Sequence, residues 1–124
     1  RAVRMSPTGD ALRCNLPFTL HNDTFVTPID PLLLVWSAVN RLSYGGRDLG
    51  KAEQGIPVLE ALKGITINAA RQGFEEGVKG SIEPGKFADF VVLDENPLAV
   101  DPMHLKDIEI AATIVGDVLA YGAL

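Results

Sequence analysis

The chain has 124 residues, of which 47% are hydrophobic and 22% are charged, so it can form one ordinary globular domain and is too apolar to be disordered. Its formal net charge of −5 provides no basic surface for nucleic acid. No apolar run approaches the ~20 residues of a membrane-spanning helix. Cys14 is the only cysteine, which excludes a disulfide framework and favours a reducing, cytoplasmic compartment.

The first quarter of the chain predicts a short helix, a short strand and a polar turn. Asp10 is placed to cap a helix that ends near Asn15. Residues 16–20 then have the apolar, turn-bounded pattern of a strand, and Pro17 restricts it to an edge or to a strand start. Three polar residues follow this strand, namely His21, Asn22 and Asp23.

A strongly apolar helix is predicted to begin at Pro31. The Asp30 carboxylate can accept hydrogen bonds from the free N–H groups of the first turn, and Pro31 needs no donor at this position. The helix should continue to about Tyr44 and stop at Gly45 and Gly46. Because it is apolar nearly all round, it requires cover on most sides. A chain of this length can hardly provide that cover by itself, so the pattern predicts a homodimer or a larger homo-oligomer.

A second helix is predicted after a polar loop at residues 47–55. It begins at Pro57, has apolar residues at helical spacing and ends near Gly73. Gly64 weakens its middle by about 1 kcal/mol relative to Ala.

The remainder of the chain predicts a small sheet. Residues 83–86 form a turn in which Gly85 takes a positive φ, and the β-rich run at residues 87–93 follows it. After one helical turn at residues 101–106, residues 108–121 form a hairpin whose Gly-Asp loop has a positive φ at its first residue. The open edge of this sheet again favours association with another copy.

One motif that suggests nucleotide binding is rejected. Gly80 to Lys86 matches the spacing G-x-x-x-x-G-K, but Phe87 stands where Ser or Thr must bind magnesium, and a strand follows where a helix is required. Pro84 also removes one backbone donor to phosphate. No serine lies in a G-x-S-x-G motif, so a nucleophilic triad is not predicted either.

Two carboxylates have both a functional and a structural interpretation. At the C-terminal end of a parallel strand, Asp23 could bind a metal or accept a proton, whereas an Asx turn or a helix cap is the structural role that spacing alone favours. Asp89 interrupts an apolar strand and must be paired. It is expected to accept backbone N–H groups or to meet Lys86 or Arg71.

Three segments resemble one enzyme family. Residues 80–97, GSIEPGKFADFVVLDENP, resemble the C-terminal signature of the amidohydrolase superfamily. Residues 16–32, LPFTLHNDTFVTPIDPL, resemble the last barrel strand and following helix of its amidohydrolase 3 branch, which includes N-substituted formamide deformylases. Residues 66–76, TINAARQGFEE, resemble the linker helix of that branch.

This resemblance implies an α/β fold class and a hydrolytic function. Residues 1–78 would be the end of a metal-dependent (β/α)8 barrel, with its last strand and two helices, and residues 79–124 a small β-sheet of a composite β-sandwich domain. The parent enzyme would hydrolyse non-peptide C–N (amide) bonds of a small-molecule substrate. Asp23 matches the catalytic aspartate that contacts a divalent metal, zinc, and shuttles a proton from the attacking water to the leaving nitrogen.

The chain departs from the family in its metal ligands. The His-x-His pair, the bridging group and the later histidines are absent, and His21 and His104 belong to no such pair. One aspartate cannot hold zinc, which usually takes about three protein ligands. The chain alone is therefore predicted to bind no metal and to be inactive. Its start at Arg1 is interpreted as a cut from a longer protein. The alternative is a non-catalytic binding or assembly module.

Overall fold

The structure is a computed structural model that describes residues 2–123. Arg1, where the first predicted domain begins, and Leu124, where the second ends, lie outside the described residues. Helices precede a small sheet. The elements in this range are α1 (Thr8–Arg13), α2 (Pro31–Asn40), α3 (Lys51–Gln54), α4 (Val58–Ile65), α5 (Ile67–Gln72), β1 (Phe90–Leu93), β2 (Ile110–Val115) and β3 (Val118–Gly122), with 3-10 helices at Ala2–Arg4 and Pro102–Asp107.

The buried side-chain amide of Gln54 connects helices α1 and α3. Gln54 donates from Nε2 to an Asp10 carboxylate oxygen at 2.9 Å, and its Oε1 accepts the Asp10 N–H at 3.0 Å. Helix α1 begins at Thr8, so the prediction of Asp10 as its N-cap is wrong, and Asp10 lies in the first turn. The prediction that residues 47–55 are all loop is also wrong. The Asp48 carboxylate accepts the N–H groups of Gly50 and Lys51 at 2.7 and 2.8 Å and thereby opens α3.

Helix α2 begins as predicted and ends early. Asp30 accepts the N–H groups of Leu32 and Leu33 at 3.0 and 3.1 Å. The helix stops at Asn40 because Arg41 adopts a left-handed conformation, with φ of 54°. The Arg41 guanidinium donates to the carbonyls of Met5, Ser6 and Leu49, and these tertiary contacts replace the predicted continuation to residue 44.

The Arg41 side chain is a buried cation that is held mainly by backbone. Its exposed fraction is 7%, and burial lowers the pKa of its guanidinium, an effect that the Asp48 charge partly offsets. Within residues 2–123, its Nε atom is the one buried side-chain nitrogen or oxygen without a hydrogen-bond partner. Arg41 therefore fixes the path of the N-terminal segment around the end of α2.

The 3-10 helix Pro102–Asp107 joins the sheet to α2. Asn40 is fully buried and donates from Nδ2 to the Pro102 carbonyl at 2.7 Å, and the Trp36 indole donates to the Met103 carbonyl at 3.0 Å. Leu105, also fully buried, projects into the core. The chain itself thus covers much of α2. The core residues are Leu32, Val35, Ala38, Val39, Ile56, Ala61, Leu105 and Ile108.

The predicted second helix is divided, and the predicted first strand does not form. Thr66, with φ of −124° and ψ of −100°, separates α4 from α5. Residues 16–20 form no strand, because residues 2–123 supply no strand to pair with them. Instead, Leu20 donates its N–H to the Gly64 carbonyl at 3.2 Å. A Cβ at Gly64 would lie 3.1 Å from the Leu20 Cγ, so the glycine permits this close approach.

The sheet is antiparallel in the order β1-β2-β3. The turn before it forms as predicted, with a 3.2 Å hydrogen bond from the Lys86 N–H to the Glu83 carbonyl and a φ of +93° at Gly85. Strand β1 begins at Phe90, three residues later than predicted. The hairpin turn has positive φ at both loop residues, 56° and 69°, rather than at the first alone, which is typical of a type I′ turn.

Asp89 has the structural role that the sequence favours. Its carboxylate accepts the N–H of Gly116 at 2.8 Å, and the neighbouring Ala88 carbonyl accepts the N–H of Asp117 at 3.2 Å. These bonds attach the segment before β1 to the hairpin turn.

None of the helices in residues 2–123 has the length and apolar character needed to cross a bilayer.

Candidate functional site

The loop that contains Asp23 begins on a segment held by α4 and α5. The Phe18 carbonyl accepts a hydrogen bond from the Asn68 amide at 3.0 Å, and the Thr19 hydroxyl lies 2.9 Å from the Gln72 amide oxygen. The Leu20 N–H bond to α4 completes this attachment. The residues directly before the loop are therefore positioned by tertiary contacts and not by strand pairing.

The other end of the loop is the start of α2. Asp30 caps this helix with its carboxylate, and its carbonyl accepts a hydrogen bond from the Asn22 amide at 3.1 Å. The Thr27 hydroxyl donates to the Asn22 carbonyl. Asn22 therefore ties the beginning of the loop to its end. The sequence signalled this role only by the adjacency of Asn22 to Asp23, and sequence reasoning missed it.

Asp23 occupies a reverse turn with its carboxylate exposed. Its φ is +52°, a conformation that Asp tolerates better than most residues, and its carbonyl accepts the Val26 N–H at 2.8 Å. Among residues 2–123, no group donates a hydrogen bond to the Asp23 carboxylate. The helix cap is Asp30, so Asp23 does not have the capping role that spacing favoured. Its side chain is available to a ligand.

The acidic, histidine and cysteine side chains of residues 2–123 lie apart from one another. In the part of the chain that the structure describes, no three side chains of His, Cys, Asp or Glu are grouped as metal ligands. His21 is exposed at the start of the loop, and His104 is exposed in the 3-10 helix Pro102–Asp107. The Asp23 carboxylate can provide oxygen atoms as metal ligands, but a catalytic zinc ion takes about three protein ligands and a water molecule.

Two open cavities lie elsewhere on the surface. The larger, of about 860 Å³, separates α4 and α5 from β1 and β2 and has a mainly apolar wall that includes Ile65, Phe90 and Ile114. The smaller, of about 440 Å³, is lined by residues that include His21 and Arg41. Gly80 and Ser81, from the rejected phosphate motif, line the larger one. Asp23 lines neither of these two cavities.

Comparison with known proteins identifies the family. A model of the amidohydrolase family, Amidohydro_3, matches residues 1–121. The chain therefore belongs to the amidohydrolase family, which confirms the resemblance seen in its motifs.

Two curated relatives are much longer than this chain. It is 37% identical over 103 residues to YtcJ of Bacillus subtilis, covering 81% of this chain and 19% of YtcJ. It is 29% identical over 119 residues to N-substituted formamide deformylase of Arthrobacter pascens, covering 96% of this chain and 22% of the deformylase. The chain thus spans about a fifth of the length of these relatives.

Two solved structures share the fold. A metal-dependent hydrolase of Pyrococcus horikoshii superposes with a TM-score of 0.70 at 29% identity, over 84% of this chain and 21% of that one. An amidohydrolase of Thermotoga maritima superposes with a TM-score of 0.64 at 24% identity, over 90% of this chain and 24% of that one.

Proposed function

We propose that this chain is the C-terminal part of a metal-dependent hydrolase of non-peptide C–N (amide) bonds, and that it supplies the catalytic carboxylate, Asp23. The observation that carries the proposal is the Asp23 side chain, which is exposed and unpaired among residues 2–123 on a loop anchored at both ends. Membership of the amidohydrolase family and similarity to a formamide deformylase support amide hydrolysis as the reaction class.

The position of the chain in a larger fold follows from the same proposal. Residues 1–78 would form the end of a (β/α)8 barrel, in which residues 16–20 pair with strands from outside this chain. Residues 79–124 would belong to a composite β-sandwich. The unpaired segment at residues 16–20 and the exposed strand β3 support this arrangement, because both need partners that residues 2–123 do not supply.

The role of Asp23 follows from the chemistry of a carboxylate. Its oxygens can bind a divalent cation such as zinc, and one of them can take up a proton and return it to a leaving nitrogen. The remaining metal ligands would come from residues outside this chain. The chain by itself is therefore expected to be inactive.

The substitution Asp23→Asn tests this role in the full-length protein that contains the chain. We expect kcat/KM for amide hydrolysis to fall about 10²- to 10⁴-fold, the range typical of a lost acid–base group. Asp94→Asn, which changes an exposed carboxylate in the sheet region, is the matched control and should keep wild-type activity. Wild-type kcat/KM in Asp23→Asn would disprove the catalytic role. Zinc binding to the 124-residue chain alone can be measured by calorimetry. Tight, stoichiometric binding would disprove the proposal that the remaining metal ligands come from outside this chain.

A second candidate function is a non-catalytic binding or assembly module. The exposed apolar residues of β3 favour it, since such a surface suits a protein partner. The coding sequence upstream of residue 1 separates the two candidates. A His-x-His motif there supports the enzyme, and a start codon next to residue 1 supports the module.

A further inference from the structure

Two hydrogen bonds hold Asn22, the residue directly before Asp23. The Asn22 amide donates from Nδ2 to the Asp30 carbonyl at 3.1 Å, and this contact is partly buried. The Asn22 carbonyl accepts a hydrogen bond from the hydroxyl of Thr27, on the other side of the loop. Asn22 is half-buried, whereas its neighbours His21 and Asp23 are exposed. The side chain and the backbone of Asn22 are thus both attached to the second half of the loop.

The residue that accepts the Asn22 amide, Asp30, is itself fixed by helix α2. Its carboxylate accepts the N–H groups of Leu32 and Leu33 in the first turn of the helix. Leu32 is part of the hydrophobic core, and Val35, one turn further along, is fully buried. A group attached to a packed helix is held more precisely than a group on a free loop. The Asn22 amide therefore ties the residue before Asp23 to a rigid element.

The two peptide planes beside Asp23 are both held by hydrogen bonds. The Asn22 carbonyl and the Asp23 N–H lie in one plane, which the Thr27 hydroxyl restrains. The Asp23 carbonyl lies in the next plane and accepts the Val26 N–H at 2.8 Å. Because these planes meet at the Asp23 Cα, they set the direction of its Cα–Cβ bond. Since no group of residues 2–123 donates a hydrogen bond to the Asp23 carboxylate, the backbone alone directs this side chain within the described chain.

We propose that Asn22 is a positioning residue for the reaction at Asp23, supported by Thr27. This inference rests on the proposed function. The bonds of Asn22 fix the backbone from which the Asp23 carboxylate reaches the metal and the substrate. Without the Asn22 amide, the loop loses its attachment to the start of α2, and the carboxylate samples directions that do not serve proton transfer. Removal of a group that orients a metal ligand typically lowers metal affinity or activity about 10- to 100-fold.

Asn22→Ala in the full-length protein tests the proposal. With N-methylformamide as the substrate, kcat should fall about 10-fold while KM stays unchanged, because the lost contribution is made in the transition state. The zinc affinity of the metal-free protein, measured by calorimetry, should fall by a similar factor. Asn22→Leu, which keeps the size of the side chain without its donor, should behave like Asn22→Ala, and Thr27→Val should show a smaller loss. If N-methylformamide is not cleaved, the zinc affinities alone decide.

Asn96→Ala is the matched control. The Asn96 side chain accepts the Leu98 N–H at 2.9 Å in the loop after β1, so this variant also removes one hydrogen bond within a loop. Both variants should lower the melting temperature slightly, but Asn96→Ala should keep the wild-type kcat and zinc affinity. Equal losses of kcat and zinc affinity in the two variants would reflect reduced stability alone and would overturn the proposal.

A double-mutant cycle shows whether Asn22 acts through Asp23. Adding Asn22→Ala to Asp23→Asn should lower kcat and zinc affinity no further, because the carboxylate that needs positioning is already gone. A further loss of about 10-fold would overturn the positioning role. Wild-type kcat and zinc affinity in Asp23→Asn would overturn the proposed function and this inference with it. Losses in Asp23→Asn without any loss in Asn22→Ala would overturn the inference alone.

Discussion

The helices and the sheet bury their apolar residues to different extents. Every residue of the main hydrophobic cluster lies outside the three strands, in α2, in α4, at Ile56 or in the stretch that contains Leu105 and Ile108. Among the strand residues of the described chain, only Ala112 is buried, and all five residues of β3 are exposed. A cavity of about 860 Å³ lies between the two regions.

This difference shows which region the chain can stabilise by itself. The helices close a core through α2, α4 and the 3-10 helix Pro102–Asp107, and buried polar groups such as Asn40 find partners there. The sheet is held by its own ladder and by the Asp89 bond, but it leaves Val118, Leu119 and Tyr121 in water. Most of the burial energy therefore belongs to the helices, and the sheet surface is suited to a further partner.

Leucine truncation gives the largest expected contrast between the two regions. Leu105→Ala should lower the free energy of unfolding of the chain by about 2–5 kcal/mol, because a fully buried leucine leaves a cavity. Leu119→Ala is the matched control. This leucine is 47% exposed in β3, and its loss should cost less than about 0.5 kcal/mol. Urea denaturation measures both, and equal costs would show that the sheet is as well buried as the helices.

Association is the second expected effect. We propose that the 124-residue chain by itself forms a homodimer or a larger homo-oligomer through the sheet, since β3 is an exposed, uncharged edge strand. Light scattering should report at least twice the monomer mass. Val118→Lys, on β3, should shift the mass toward the monomer, whereas Leu59→Lys, at a half-exposed position of α4, should not. A compact monomeric wild type at working concentration would contradict the proposal.

Acid sensitivity is the smallest expected effect and belongs mainly to the helical region. The hydrogen bond from Arg13 and then that from Gln54 lower the pKa of Asp10, and the backbone N–H groups of Lys51 and Gly50 lower that of Asp48. A carboxyl with a lower pKa in the folded state stabilises the fold above its unfolded pKa, and this contribution is lost as the pH falls through the folded value.

Melting temperatures at about pH 5 and about pH 2.5 test this dependence. The wild type should be less stable at the lower pH. Asp48→Asn cannot titrate at this position, so its melting temperature should change less between the two conditions. If the two proteins lose the same number of degrees, Asp48 does not contribute to the pH dependence.

Local patterns in the sequence were sufficient where a few neighbouring residues decide the structure. The Asp30-Pro31 start of α2, the turn at residues 83–86 and the hairpin all formed as predicted, apart from the φ at the second hairpin residue. Each depends on a cap, on proline or glycine, or on a short loop, and all of these interactions lie within a few residues.

Two of the errors occurred where distant residues decide. Residues 16–20 have strand propensity, but a strand forms only with a paired neighbour. The end of α2 was set by carbonyls of Met5 and Ser6, which lie more than 30 positions from Arg41 in sequence. The sequence alone did not predict which carbonyls a buried guanidinium would meet.

The motifs of the sequence by themselves determined the family, because residues 80–97 and 16–32 carry its signature regardless of how they fold. They also placed Asp23 after an apolar segment and before a capped helix. Only the tertiary structure showed that Asn22 closes the loop and that the Asp23 carboxylate has no partner among the described residues. Whether a carboxylate is used depends on the groups that surround it, and these come from distant parts of the chain.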